Sequence, residues 1–192
     1  MKHLILVLTS YLFTTLCYSQ SKGKLIPDEL TLQHAGSIGY FSVGAGYNIF
    51  KSNGNFRIFY GYIPEEKGGE YNIISAKLNF ITSRLKISDK IELQPSNVGM
   101  FVAYHASGDL SSTWPSNRYP EGYYWWRPST RFHLSVEQRV YHQFIDKKIK
   151  GISYFTEFNV NELYIVSLWQ NVRSLDLHEV IKLGFGLTIH LR

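Results

Sequence analysis

Cysteine is nearly absent from this chain. Cys17 is the single one, and it lies in a segment read below as a leader that is removed. The mature protein is therefore expected to have no disulfide, no thiolate metal site and no cysteine nucleophile. Long apolar runs are missing too: after residue 20 nothing approaches the roughly 20 residues a membrane helix needs. Nor does one charge dominate. The formal net charge of +5 falls by one with Lys2, and basic residues are interspersed with carboxylates apart from Lys147-Lys148-Ile149-Lys150, which leaves no basic stripe for nucleic acid. His34, His105, His133, His178 and His190 stand far apart, without the short spacings of a zinc site. No metal or cofactor is expected.

What is present begins with the features of an export signal. Lys2 gives a positive start, Leu4 to Leu16 are largely apolar, and Cys17-Tyr18-Ser19 ends in the small residue required before cleavage ahead of Gln20. An acylated Cys17 would need a small residue before it, where Leu16 stands. The division expected is a signal peptide over 1–19 and one domain over 20–192.

That domain alternates. From Lys182 to Leu191, Leu183, Phe185, Leu187, Ile189 and Leu191 share one face of a strand, while Lys182, Gly184, Gly186, Thr188 and His190 share the other. The same test places Phe41, Val43, Ala45, Tyr47 and Ile49 opposite Ser42, Gly44, Gly46 and Asn48 in a strand over 36–49. Phe56, Ile58, Tyr60 and Tyr62 then oppose Arg57, Phe59 and Gly61, after an Asn53-Gly54 turn expected to supply a positive φ. Further strands are read over 71–82, around 97–105, over about 122–143 and over 152–160. Phase breaks at Asn161-Glu162, so the eighth strand comes either from 162–170 or from Leu25 to His34. The second face is rich in Gly, Ser and Asn with isolated charges. A soluble β-sandwich or lipocalin-like barrel also alternates, but its solvated face would carry a denser Lys/Glu/Thr coat. The expected fold is therefore all-β, an antiparallel transmembrane β-barrel of about eight strands. The glycines of Gly44-x-Gly46 and Gly184-x-Gly186 read as lumen packing rather than phosphate cradles.

Short connections at 51–54 and 145–151 contrast with the long polar one from Ser107 to Gly122, which would face the cell exterior. Trp114, Tyr119, Tyr123, Tyr124, Trp125 and Trp126 would then form an aromatic belt at the outer interface. Five segments carry a resemblance: Gly36-Ser37-Ile38-Gly39-Tyr40, Gly61-Tyr62-Ile63-Pro64, Arg118 to Trp126, Arg131-Phe132-His133 and Asn161-Glu162-Leu163-Tyr164. Together they resemble a group of small outer-membrane β-barrel proteins of the Bacteroidota. The resemblance implies fold and outer-membrane location, and no activity.

Chemistry concentrates on one strand, where Arg131, His133, Ser135, Glu137 and Arg139 share a face. His133, Ser135 and Glu137 are a conceivable hydrolytic set. His133-Leu134-Ser135 is similar to the His-x-Ser of outer-membrane lipid A deacylases, whose pattern continues Asn-Ala where this chain has Val136-Glu137. The competing reading is a polar ladder in the lumen, in which Arg57, Lys77, Arg131, Glu137, Arg139 and Glu157 neutralise one another. Three functions follow: a filled barrel with a structural or accessory role, a lipid A or phospholipid acyl hydrolase, or a surface ligand-binding or adhesion barrel using the Ser107–Gly122 loop. Expected partners are outer-membrane lipids or lipopolysaccharide and a larger outer-membrane complex.

Overall fold

A computed structural model describes residues 26–67, 69–106, 129–145, 149–170 and 180–191. The strands are β1 (Glu29–Ala35), β2 (Phe41–Ile49), β3 (Gly54–Ile63), β4 (Tyr71–Ile81), the short β5 (Leu85–Lys86), β6 (Ile91–His105), β7 (Thr130–Gln143), β8 (Gly151–Asn161) and β9 (Lys182–His190). A helix, α1 (Glu162–Gln170), follows β8. Eight of the strands form an antiparallel meander that closes on itself, with β4 pairing to β6 and β9 pairing back to β1, while β5 only extends the edge of β6.

Closure requires tilt. A row of paired residues starting at Glu29 runs through Gly46, Arg57, Lys77 and Phe101 to His133 when followed by way of β2. Followed the other way, through His190 and Gly151, it reaches β7 at Gln143. The offset between His133 and Gln143 is the shear of the barrel, and at eight strands the interior is just wide enough for side chains to fill it.

The alternating faces fall as the periodicity predicts. Val43, Ile58, Ile74, Met100, Leu134, Tyr154 and Leu187 are about half exposed on the outer wall, whereas Arg57, Lys77, Glu137 and Glu157 are fully buried in the lumen. Polarity is thus reversed relative to a soluble globule, in which charged side chains are the ones left outside. The paired glycines do make room for lumen side chains: a Cβ on Gly186 would lie 2.2 Å from the Phe155 ring, and one on Gly44 2.5 Å from the Phe59 ring.

Of the two segments read as the eighth strand, the N-terminal one forms it as β1, and residues 162–170 are helical. Asn161 explains the change, because its Oδ1 accepts the Tyr164 N–H at 2.9 Å and so caps the helix. Residues 36–40 are not strand but a turn folded into the barrel mouth, with positive φ at Ala35, Gly36, Ser37 and Gly39. It seats Ile38 on Phe59, Ile73, Phe101 and Ala103. At the β2–β3 hairpin the positive φ values fall on Phe50, Lys51 and Ser52, not on Asn53-Gly54. There Phe50 stacks on Phe80 with ring centroids 5.5 Å apart. Gly54 is needed for space instead, since a Cβ would come 2.9 Å from the Asn79 carbonyl oxygen. β7 is described from Thr130 onward, so the start read at about residue 122 lies outside the described residues. Pro95, within β6, falls where the β6–β7 register shifts between Gln94 and Asn97, a bulge being one place where a strand tolerates proline.

The two ends differ. At one lie the turns 50–53, 82–90 and 144–150 together with the outer ends of β1 and β9, joined where the Leu191 N–H donates to the Asp28 carbonyl at 2.8 Å. At the other lie the connections 36–40, 64–70, 106–129 and 162–181, two of them long.

Candidate functional site

The lumen carries the polar chemistry in layers. Toward the short-turn end, Arg57 donates to Glu29 at 2.5 Å and to Glu137 at 3.0 Å. Arg139 donates to Glu137 at 2.9 Å through Nε, and its Nη1 lies 3.8 Å from Glu29. Asn79 and Asn97 add further donors to the two Glu137 oxygens, at 3.2 and 3.5 Å. The next layer pairs Lys77 with Glu157. Phe155 sits among these groups, 5.7 Å from the Arg57 guanidinium, 5.5 Å from that of Arg139 and 5.9 Å from the Lys77 ammonium. Three cations thus face three carboxylates, all of them buried. Such burial is tolerable only because each charge has a counter-charge beside it. Next comes the apolar seal of Ile38, Phe59, Ile73, Phe101 and Ala103.

Five of the six residues read as a lumen ladder meet here: Arg57, Lys77, Glu137, Arg139 and Glu157. Arg131 does not. It lies near the mouth, its Nη1 3.7 Å from Glu162. Glu29 belongs to the network and was not read from the sequence. Its signal was the alternation Glu29-Leu30-Thr31-Leu32-Gln33, with Glu29 in phase with the inward residues.

His133, Ser135 and Glu137 share the lumen face of β7 without making a relay. His133 Nδ1 lies 3.1 Å from Asn159 Oδ1, and its ring stacks on Phe101 at 4.3 Å. Ser135 Oγ has no hydrogen-bond partner among the described residues, so no bond joins it to His133. Glu137 is committed to the two arginines. A nucleophilic mechanism needs the base within hydrogen-bond reach of the hydroxyl, and Ser135 is buried behind the wall, away from any lipid on its outer side. Trp114, Tyr119, Tyr123, Tyr124, Trp125 and Trp126 lie outside the described residues.

Beyond the apolar seal, at the long-loop end, a cavity of about 670 Å³ opens. It is lined among others by Gly36, Tyr40, Lys67, His105, Arg131, His133, Tyr164 and Lys182. Lys67 Nζ lies 5.5 Å from the centre of the Tyr40 ring and Lys182 Nζ 5.6 Å from that of Tyr164, within cation–π range. The opposite end has a smaller hollow of about 200 Å³ whose lining includes Glu29, Arg139 and His190. Among the described residues no group of His, Cys, Asp and Glu could hold a metal ion.

No family model, curated protein or solved structure matches this chain. The site therefore has to be read from its own geometry. The charged part of the lumen is filled by its own ion pairs, and the cavity at the long-loop end is open volume lined by polar and aromatic side chains.

Proposed function

We propose that this protein is a small outer-membrane β-barrel with a filled lumen, exported by its N-terminal segment and serving a structural or accessory role among outer-membrane lipids and proteins. The observation that carries this reading is the reversed polarity of the barrel: half-exposed Leu, Val, Ile, Met and aromatic side chains outside, and paired Arg, Lys and Glu inside. Water would have to cover a continuous apolar wall far beyond the few hundred Å² that soluble monomers expose, whereas lipid accepts it. A membrane barrel also satisfies every backbone group by closure. Short turns at one end and longer connections at the other fit the asymmetry of outer-membrane barrels, and so does the resemblance to Bacteroidota barrels. The ionic network and its apolar seal leave no continuous path through the lumen for a general diffusion pore.

The test is heat-modifiability. Protein taken from native membranes should require detergent for extraction and should change its gel mobility on boiling, because a closed barrel resists detergent until all its strands separate. Release as a soluble periplasmic protein without detergent would refute the reading. The acyl-hydrolase alternative draws no support from the relation of His133 to Ser135, and the adhesion alternative rests on loop residues outside those described.

A further inference from the structure

We infer that a second copy of this chain packs on the outer face of β7 and β8, with the Gln138 amides of the two copies bonding to each other across a two-fold axis. The inference rests on the membrane reading proposed above and names a partner for one part of that wall.

Strand pairing lays out the wall in rows. Val98, Val136, Phe158 and Leu183 lie opposite one another in turn across β6, β7, β8 and β9, and Leu93, Val140, Tyr154 and Leu187 do the same nearer the short turns. Both rows are apolar. Between them Gln138 of β7 stands opposite Thr156 of β8. Gln138 alternates with the buried Glu137 and Arg139, and Thr156 with the buried Phe155 and Glu157, so both side chains are on the outside. Gln138 is exposed and Thr156 half-buried. With apolar rows on either side, this polar pair interrupts the wall rather than marking its edge.

Hydrogen bonding sets what can cover it. Other polar groups on the wall are matched: Ser96 and Thr82, at the β6 bulge, have their hydroxyls 3.1 Å apart, and Tyr60 donates to Asn72 at 2.6 Å. The Gln138 amide and the Thr156 hydroxyl have no hydrogen-bond partner among the described residues. An acyl chain supplies neither donor nor acceptor, so an amide facing lipid gives up the bonds it would make in water. Uncharged polar side chains on a membrane-facing surface serve as contacts with protein.

Self-complementarity selects which protein. A carboxamide has two N–H donors and an acceptor oxygen, so two of them meeting at a two-fold axis satisfy each other with a pair of N–H···O bonds. In such an isologous contact the same patch meets itself, and any net charge on it would be repelled. Val136, Gln138, Val140, Tyr154, Thr156 and Phe158 carry none. Nothing on this face calls for a partner of opposite charge, and the valines and aromatic rings supply the close packing on which association in lipid depends.

The test is Förster transfer between copies of the full-length mature protein in phosphatidylcholine vesicles that hold no other protein. After Gln20 the chain has no cysteine, so Asp89→Cys, exposed in the 82–90 turn, gives a single labelling site. Transfer is expected to saturate with the protein-to-lipid ratio and to fall on dilution with lipid. Gln138→Leu should weaken association by about tenfold, and Thr156→Val by a smaller factor. Ile58→Leu, on β3 across the barrel, should leave it unchanged. The gel shift on boiling checks that each variant is folded. If the wild type shows that shift and needs detergent, yet gives no transfer at any ratio, this inference falls while the membrane reading stands. Release without detergent removes both. Association of folded Gln138→Leu equal to the wild type, or an equal loss with Ile58→Leu, also overturns the inference.

Discussion

The two halves of the lumen are built from the same residue types to opposite effect. Toward the short turns, Glu29, Arg57, Glu137 and Arg139 are paired with one another and fill the lumen. Toward the long loops, Arg131, Lys182 and Lys67 line open volume, and Glu162 lies 3.7 Å from Arg131. A filled, ion-paired network resists change. Side chains that line open volume contribute less to stability. The difference separates residues that hold the barrel shut from residues that can do something.

The largest effect should come from breaking the ion-paired half. Glu137→Ala removes the carboxylate that bonds to both Arg57 and Arg139 and leaves the two buried guanidinium groups to Glu29, a loss of about 3–5 kcal/mol. Urea unfolding of the detergent-folded protein should show a markedly lower midpoint or no folded form. Lys182→Gln, exposed at the open end, should leave that midpoint in place. Equal sensitivity of the two variants would erase the distinction.

Next in size is the wall. If it meets lipid as proposed, Leu187→Arg should cost about 2–4 kcal/mol near the bilayer centre, read as lost assembly in membranes. On the neighbouring inward position, Thr188→Ser keeps the hydroxyl that meets Thr31 at 3.1 Å and should assemble normally. Equal tolerance at both would remove the difference between wall and lumen on which the comparison stands.

A smaller effect is expected at the seam between the halves. A Cβ on Gly61 would lie 1.7 Å from the Ile38 carbonyl oxygen, so Gly61→Ala must push the 36–40 turn outward. The strain should cost about 1–3 kcal/mol and loosen the seal, measured as faster hydrogen exchange at Phe59 and Phe101. Smallest of all, Ser135→Ala should change stability by less than about 1 kcal/mol, since its hydroxyl bonds to nothing described. Lipid mass spectra of membranes with and without that variant should be identical. A deacylated lipid that disappears with Ser135 would restore the hydrolase reading.

Much of the fold was legible because strand periodicity is local. Leu183, Phe185 and Leu187 against Gly184, Gly186 and Thr188 need no knowledge of partners to be sorted into faces. Pairing across the barrel is not local, which is why the charges Arg57 and Glu137 could be assigned to the lumen while their actual neighbours, Glu29, Asn79 and Asn97, could not be named. Helix α1 was missed for a different reason. Leu163 to Trp169 is a mostly apolar run without a clear period, and the decisive signal was the cap at Asn161, read instead as a break in strand phase. The 36–40 turn was absorbed into a strand because its positive φ values fall partly on Ala35 and Ser37, residues that do not advertise them. At the candidate site, the sequence marked Arg131 and His133 but put them in a ladder or a hydrolytic set. What separates them from Glu137 is the set of cross-strand neighbours met at each height along β7, which no single strand reveals.

The bond between Thr31 and Thr188 joins residues 157 positions apart in the chain, and every other seam of the barrel joins strands that follow one another once the short β5 is set aside. In kinetic terms the meander can zip up hairpin by hairpin, each step closing only a modest loop. The β1–β9 seam has to wait for both ends of the domain. Until it forms, the sheet has two unpaired edges and an apolar face, the combination most prone to join a second copy of itself. Final closure is therefore the expected rate-limiting event, and it sets the time during which the chain depends on whatever escorts it. Because that seam also brings Asp28 and Leu191 together, linking the two ends of the domain and opening the chain at the 144–150 turn should move the late closure to the β7–β8 seam without altering the finished barrel.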